Sequence, residues 1–154
     1  MECKMRIADD TEIDLLVDLR IKFVKDIHPE YTINKINELT VATKKYINEQ
    51  YNKNMYVGFI GEVESEIVCT TALLIYDYPP LYSQEYRKIG HVLNFFTDKK
   101  YRRKGFGIKM MDFVKEYSKH NNIYKLDLSA TEDGYELYKK CGYSDSERNM
   151  ELVL

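Results

Sequence analysis

The sequence predicts an α/β chain of the α+β kind, with a mixed central sheet of roughly six to seven strands flanked by about four helices. Three observations predict it. Helical stripes with apolar steps of three and four residues alternate with short runs rich in β-branched and aromatic residues. Two such runs, Met55 to Val63 and Glu66 to Tyr78, are separated only by Glu64-Ser65, which marks an antiparallel hairpin. A later run, Ile89 to Thr97, feeds a helix through a glycine-containing turn, the usual beginning of a crossover to a parallel strand.

Taken in order, Cys3 to Ala8 reads as a short strand ending in Asp9-Asp10-Thr11, side chains suited to capping a helix. Ile13, Leu16, Leu19, Phe23 and Ile27 then form an apolar stripe that should stop at His28-Pro29, because proline disfavours a helical residue before it. Ile33 to Tyr51 is a second, more polar helix carrying Ile36, Leu39 and Ile47 inward. After the hairpin, Tyr78-Pro79-Pro80 breaks the sheet, and a loop bearing Tyr76, Tyr78, Tyr82 and Tyr86 follows. Ile108 to His120 is a helix with Met110, Met111, Val114 and Tyr117 inward. Tyr124, Leu126 and Leu128 alternate with polar residues as a strand, and Glu132 to Cys141 is a helix stopped by Gly142. Tyr143 to Leu154 is expected to close the chain as one or two strands.

A chain of 154 residues with 44% hydrophobic content has room for one domain, residues 1–154, and its 23 basic and 25 acidic residues leave a formal charge of −2. No overall attraction to nucleic acid or to an anionic membrane follows. Cys3, Cys69 and Cys141 show neither a disulfide framework nor metal-ligand spacing, which fits a reducing compartment and an expected cytoplasmic location without a metal. No stretch approaches the roughly 18 apolar residues of a membrane span.

Chemistry concentrates in Val92-Leu93-Asn94-Phe95-Phe96-Thr97 and the turn Arg102-Arg103-Lys104-Gly105-Phe106-Gly107-Ile108. Where a strand meets a helix through such a turn, several backbone N–H groups point one way and the helix dipole adds positive charge. A pyrophosphate fits there. Gly105 and Gly107 are expected to keep Cβ atoms out of its path, with Arg102, Arg103 and Lys104 supplying charge. The spacing is not that of a P-loop, since Ile108 stands where lysine would be, nor that of a dinucleotide fingerprint, since position 110 is Met. Alone, the basic run from Lys99 to Lys104 equally fits a solvated turn or a nucleic-acid patch.

Arg102 to Gly107 resembles the R/Q-x-x-G-x-G/A acetyl-coenzyme-A motif of the GNAT N-acetyltransferase family, and Leu137-Tyr138-Lys139-Lys140-Cys141-Gly142-Tyr143 is similar to its LYxxxGF signature. The element order resembles the family from the first strand to the last. Thr131 stands where many members carry a cofactor-contacting asparagine, Gly134 where alanine is common, and Tyr143 where phenylalanine is usual. The resemblance implies transfer of an acetyl group from acetyl-CoA to a primary amine of a small molecule or peptide, by direct attack in a ternary complex. It implies that a β-bulge exposes the backbone of Phe95, Phe96 and Thr97 to the acetyl oxygen and pantetheine, that residues 102–108 hold the pyrophosphate, and that Tyr138 protonates the departing sulfur. Three residues compete as general base: His91, His28 and Glu30. A non-catalytic acyl-CoA sensor or scaffold of the same fold is the alternative. The acceptor stays open, although Asp26, Glu30, Asp77 and Glu85 would suit a cation. A homodimer is expected from family habit.

Overall fold

A computed structural model describes residues 2–80, 87–146 and 150–154. Strands β1 (Lys4–Ile7), β2 (Tyr56–Val63), β3 (Glu66–Tyr78), β4 (Arg87–Thr97) and β5 (Ile123–Asp127) form one sheet in that spatial order. Neighbours run antiparallel except β4 and β5, which are parallel, because helix α3 (Phe106–His120) carries the chain back across the sheet between them. Helices α1 (Ile13–Ile27) and α2 (Ile33–Asn52) cover one face, while α3 and α4 (Glu132–Lys140) cover the other. Adjacent central-strand residues therefore serve different cores: Phe59 packs with Met110 and Val114 on the α3 side, and Ile60 packs with Leu16 and Val17 on the α1 side. Burial on both faces explains why β2 and β3 read as nearly continuous apolar runs rather than alternating ones.

The ends of the elements follow their local chemistry. The Asp9 carboxylate accepts from the Thr11 amide at 2.9 Å, while the Glu12 carboxylate accepts from the Asp9 amide at 3.0 Å. These reciprocal caps open a short 3₁₀ turn that leads into α1. Arg6 of β1 holds Glu12 through both guanidinium ends at 2.8 Å and reaches Glu62 of β2 at 2.8 Å, tying that turn to the sheet edge. Gly142, at φ 92°, ends α4 with the Gly142 amide donating to Lys139 O and the Tyr143 amide to Tyr138 O. That is a left-handed stop few other residues tolerate.

Several expectations need correction. Helix α1 buries Leu16, Val17, Ile21 and Val24, and Ile13, Leu19 and Phe23 of the expected stripe pack partly buried against the same core, while Ile27 is exposed. Helix α3 starts at Phe106, two residues earlier than expected, and β4 starts at Arg87. On β5 Tyr124 faces solvent, and Ile123 is the buried residue. The sheet has five strands among the described residues, not six to seven. Beyond Gly142 the chain binds back to α4, with the Tyr135 hydroxyl donating to both Asp145 oxygens at 2.9 and 3.0 Å. Met150, Leu152, Val153 and Leu154 are exposed and outside any strand.

Candidate active site

The site begins with a defect in β4. Thr70 pairs with Phe96 and Ala72 with Leu93, so Thr71 alone faces both Asn94 and Phe95. This is a β-bulge: Asn94 takes φ 56°, a left-handed conformation that asparagine tolerates better than most residues, and the Thr71 hydroxyl donates to Leu93 O at 2.9 Å. On its other side β4 pairs with β5 only as far as His91 opposite Asp127. From Val92 to Thr97 that edge has no strand partner among the described residues, which leaves backbone groups facing a gap between the two parallel strands.

The turn that follows lies at the start of α3. Gly105 caps the helix at φ 81°, with open space where its Cβ would be and no side chain capping the helix. Arg103 is also left-handed, at φ 61°. Among the described residues, the backbone N–H groups from Arg103 through Ile108 have no acceptor; the first amide of α3 bonded into the helix is that of Lys109, to Gly105 O. A run of open amides at a helix N-terminus is a cradle for a phosphate-type anion. Gly107 also has a packing role that the sequence did not suggest. A Cβ there would lie 2.7 Å from Leu137 Cδ1 and 3.1 Å from Phe95 Cζ, so its bareness lets α3 pack against α4 and β4.

Charge at the turn is partly spent on the protein itself. Arg102 donates from Nε to Thr97 O and from Nη2 to Asp26 of α1, each at 2.9 Å; Lys99 also pairs with Asp26, and Lys100 with Glu66. The Lys99 ammonium, then Arg102, hold the Asp26 carboxyl below its usual range. Arg103 and Lys104 are exposed and make no ion pair among the described residues, which leaves them available to an anion. A cavity of about 290 Å³ opens beside this clasp, lined by Lys22, Lys25, Asp26, Phe96, Asp98 and Lys99.

Tyr138 rises from α4 on the α3 side of the sheet. Its ring is buried, edge-on to Phe95 and to Tyr143 at 5.8 Å each, and Gly134 one turn earlier leaves room for it. Burial pushes its phenol up to about 12. The hydroxyl makes no hydrogen bond among the described residues, yet it is not sealed in; the enclosed polar side-chain atoms without a partner are Arg87 Nε and Tyr143 Oη.

Of the three competing bases, His28 and Glu30 pair with each other at 3.1 Å on the exposed end of α1, where His28 stacks on Tyr31. His91 stands at the last β4–β5 pair with Nδ1 2.5 Å from Asp127 Oδ1, and the Tyr76 hydroxyl donates to Asp127 Oδ2 at 3.4 Å. Sequence reasoning named His91 without Asp127, whose partnership across 36 residues depends on the parallel register. Tyr82, Glu85 and Tyr86 lie outside the described residues.

A strand opened by a bulge, followed by uncapped amides at a left-handed glycine, is the arrangement of an acyl-CoA-binding fold. Residues 46–145 match the acetyltransferase (GNAT) domain, and the chain belongs to that family. It is similar over nearly its whole length to a Clostridium acetobutylicum protein described as a predicted acetyltransferase and crystallised with acetyl-CoA: 32% identity, 99% of this chain and 96% of that one, TM-score 0.82. It is 29% identical over 96 residues to glucosamine 6-phosphate N-acetyltransferase of Trypanosoma brucei brucei, covering 62% of this chain and 63% of that protein. The Candida albicans protein of the same name is 24% identical over 119 residues, covering 74% and 78%. No helix of the described residues is long and apolar enough to cross a membrane, and no three His, Cys, Asp or Glu side chains among them group as a metal site.

Proposed function

We propose that residues 1–154 act as one domain that transfers an acetyl group from acetyl-CoA to a primary amine by direct attack in a ternary complex. The observation that carries this is the run of unpartnered amides from Arg103 to Ile108 directly downstream of the bulged strand. Those amides, with Arg103 and Lys104, hold the pyrophosphate; the backbone of Phe95, Phe96 and Thr97 lies along the acyl arm. Bound acetyl-CoA supplies an activated carbonyl with a thiol leaving group. Backbone N–H groups beyond the Asn94 bulge donate to the carbonyl oxygen as it gains charge, and being fixed they need no reorganisation.

Tyr138 faces the leaving sulfur. Burial raises this phenol, so it stays protonated at neutral pH. Its part is therefore to donate a hydrogen bond that grows as the sulfur gains charge. His91 receives the amine proton: Asp127 fixes Nδ1 as the donor, which leaves the Nε2 lone pair free.

The acceptor is a primary amine of a small molecule or peptide, and glucosamine 6-phosphate, from which the relatives take their name, is the first compound to try. The protein is read as cytoplasmic and homodimeric, with no nucleic-acid or membrane partner. A thiol-release assay over a panel of amines, with acetylated products identified by mass spectrometry, tests the proposal. Acetyl-CoA binding without release on any acceptor would make the chain a coenzyme-holding module instead.

A further inference from the structure

On the α3 face of the sheet, at the edge away from β5, three sulfur atoms surround a single point. Met5 of β1, Gly61 of β2 and Cys69 of β3 lie in one row across the strands, and Cys3 is two residues before Met5 on the same face. A Cβ built on Gly61 would stand 2.5 Å from Cys69 Sγ, 2.9 Å from Met5 Sδ and 3.3 Å from Cys3 Sγ. β-strand geometry alone keeps side chains of β1 and β3 apart, since a residue of β2 normally stands between them. The bare glycine removes that residue, so a thioether and two thiols come together in the space its side chain would take.

We propose that this cluster of three sulfurs is a site for one soft monovalent cation, Cu(I). Two thiolates and a thioether with no imidazole or carboxylate are the donor set that selects Cu(I), and they fall short of the four ligands of a structural zinc site. Cys69 is buried and Cys3 and Met5 are partly so, which gives the ion a dry inner wall and an entry from the N-terminal side. Binding displaces one proton from each thiol, and the resulting excess of one negative charge faces the Lys109 ammonium. Cys141 is on α4's C-terminal end, outside this group, and serves as an internal control.

The test is an anaerobic Cu(I) titration of the whole chain against a chromophoric Cu(I) chelator. Wild type and Cys141→Ser should each withdraw one Cu(I) per chain and melt higher once loaded, whereas Cys3→Ser and Cys69→Ser should withdraw none. Should Cys69→Ser fail to fold, Cys3→Ser carries the decision, because its side chain is partly exposed. X-ray absorption of the loaded protein should show three sulfur neighbours, falling to two in Met5→Leu. Uptake by Cys3→Ser equal to wild type, uptake that needs Cys141, or two sulfur neighbours in wild type would overturn the site. Acetyl transfer does not depend on any of these outcomes.

Discussion

Tyr138 and Tyr143 touch each other edge to face, and replacing each by phenylalanine should have opposite consequences. The Tyr143 hydroxyl is enclosed with no hydrogen-bond partner among the described residues, and burial raises its pKa. An unpaired buried hydroxyl costs about 1–3 kcal/mol. Tyr143→Phe removes the oxygen and keeps the ring against Tyr138, so the protein should gain about 1 kcal/mol, or about 2–4 °C in melting midpoint for a chain of this length. Turnover should not change. Tyr138→Phe also keeps its ring contacts and loses no hydrogen bond, so its midpoint should stay within about 0.5 kcal/mol of wild type. Its turnover should instead fall on the order of 10²-fold, with acetyl-CoA affinity unchanged. Thermal melts, calorimetry with acetyl-CoA and steady-state rates on the same two variants decide the matter. A Tyr143→Phe protein that melts lower, or a Tyr138→Phe protein with full turnover, would refute the reasoning.

Gly105→Glu places bulk and negative charge in the turn and forces a side chain to φ 81°, so acetyl-CoA binding should vanish by calorimetry; normal affinity would contradict the site. Gly107→Ala should leave binding nearly intact but push Leu137 aside, costing about 1–3 kcal/mol of stability in a denaturant melt. Asp127→Asn removes the carboxylate that orients His91, so kcat should fall with KM for acetyl-CoA unchanged in steady-state assay. Asp26 has a folded pKa below its unfolded one, so the stability it adds is present above the unfolded pKa, about 3.9, and is lost as pH falls through the folded value. Asp26→Asn should therefore melt lower than wild type at neutral pH, and the gap should close in strong acid.

What the residues disclosed, and what they did not, follows from the range of the forces involved. His28-Pro29 and Gly142 end helices through local backbone constraints, and both stops lie where expected. The hairpin at Glu64-Ser65 appears too, although both residues take positive φ, 50° and 65°, without the glycine or asparagine that usually announces such a turn. The α1 stripe holds at Ile13, Leu16, Leu19 and Phe23 and fails at Ile27; that Val17, Ile21 and Val24 are the more deeply buried follows from the position of the sheet, since residues 13, 15, 16, 17 and 19 are all apolar. The expected closing strands are not present among the described residues after Gly142, where Asp145 instead accepts from the Tyr135 hydroxyl. At the site, the glycine turn was legible. The separate duties of its two glycines, the Asp127 partner of His91 and the clasp of Asp26 on Arg102 were not, since each joins residues far apart in the chain.

The single surplus residue in β4 also decides which phenylalanine meets which layer of helices. Upstream of Asn94, Val92 looks toward α3 and Leu93 toward α1; downstream, the parity is reversed, with Phe95 meeting Tyr138 and Phe96 meeting Phe23 of α1. Two neighbouring rings of the same chemistry thus lie on opposite faces of the sheet, Phe95 against Tyr138 and Phe96 against the hollow beside Lys22 and Asp26. Deleting Asn94 would leave each ring on its face, because Val92, Leu93, Phe95 and Phe96 would then simply alternate, and would remove only the bulge.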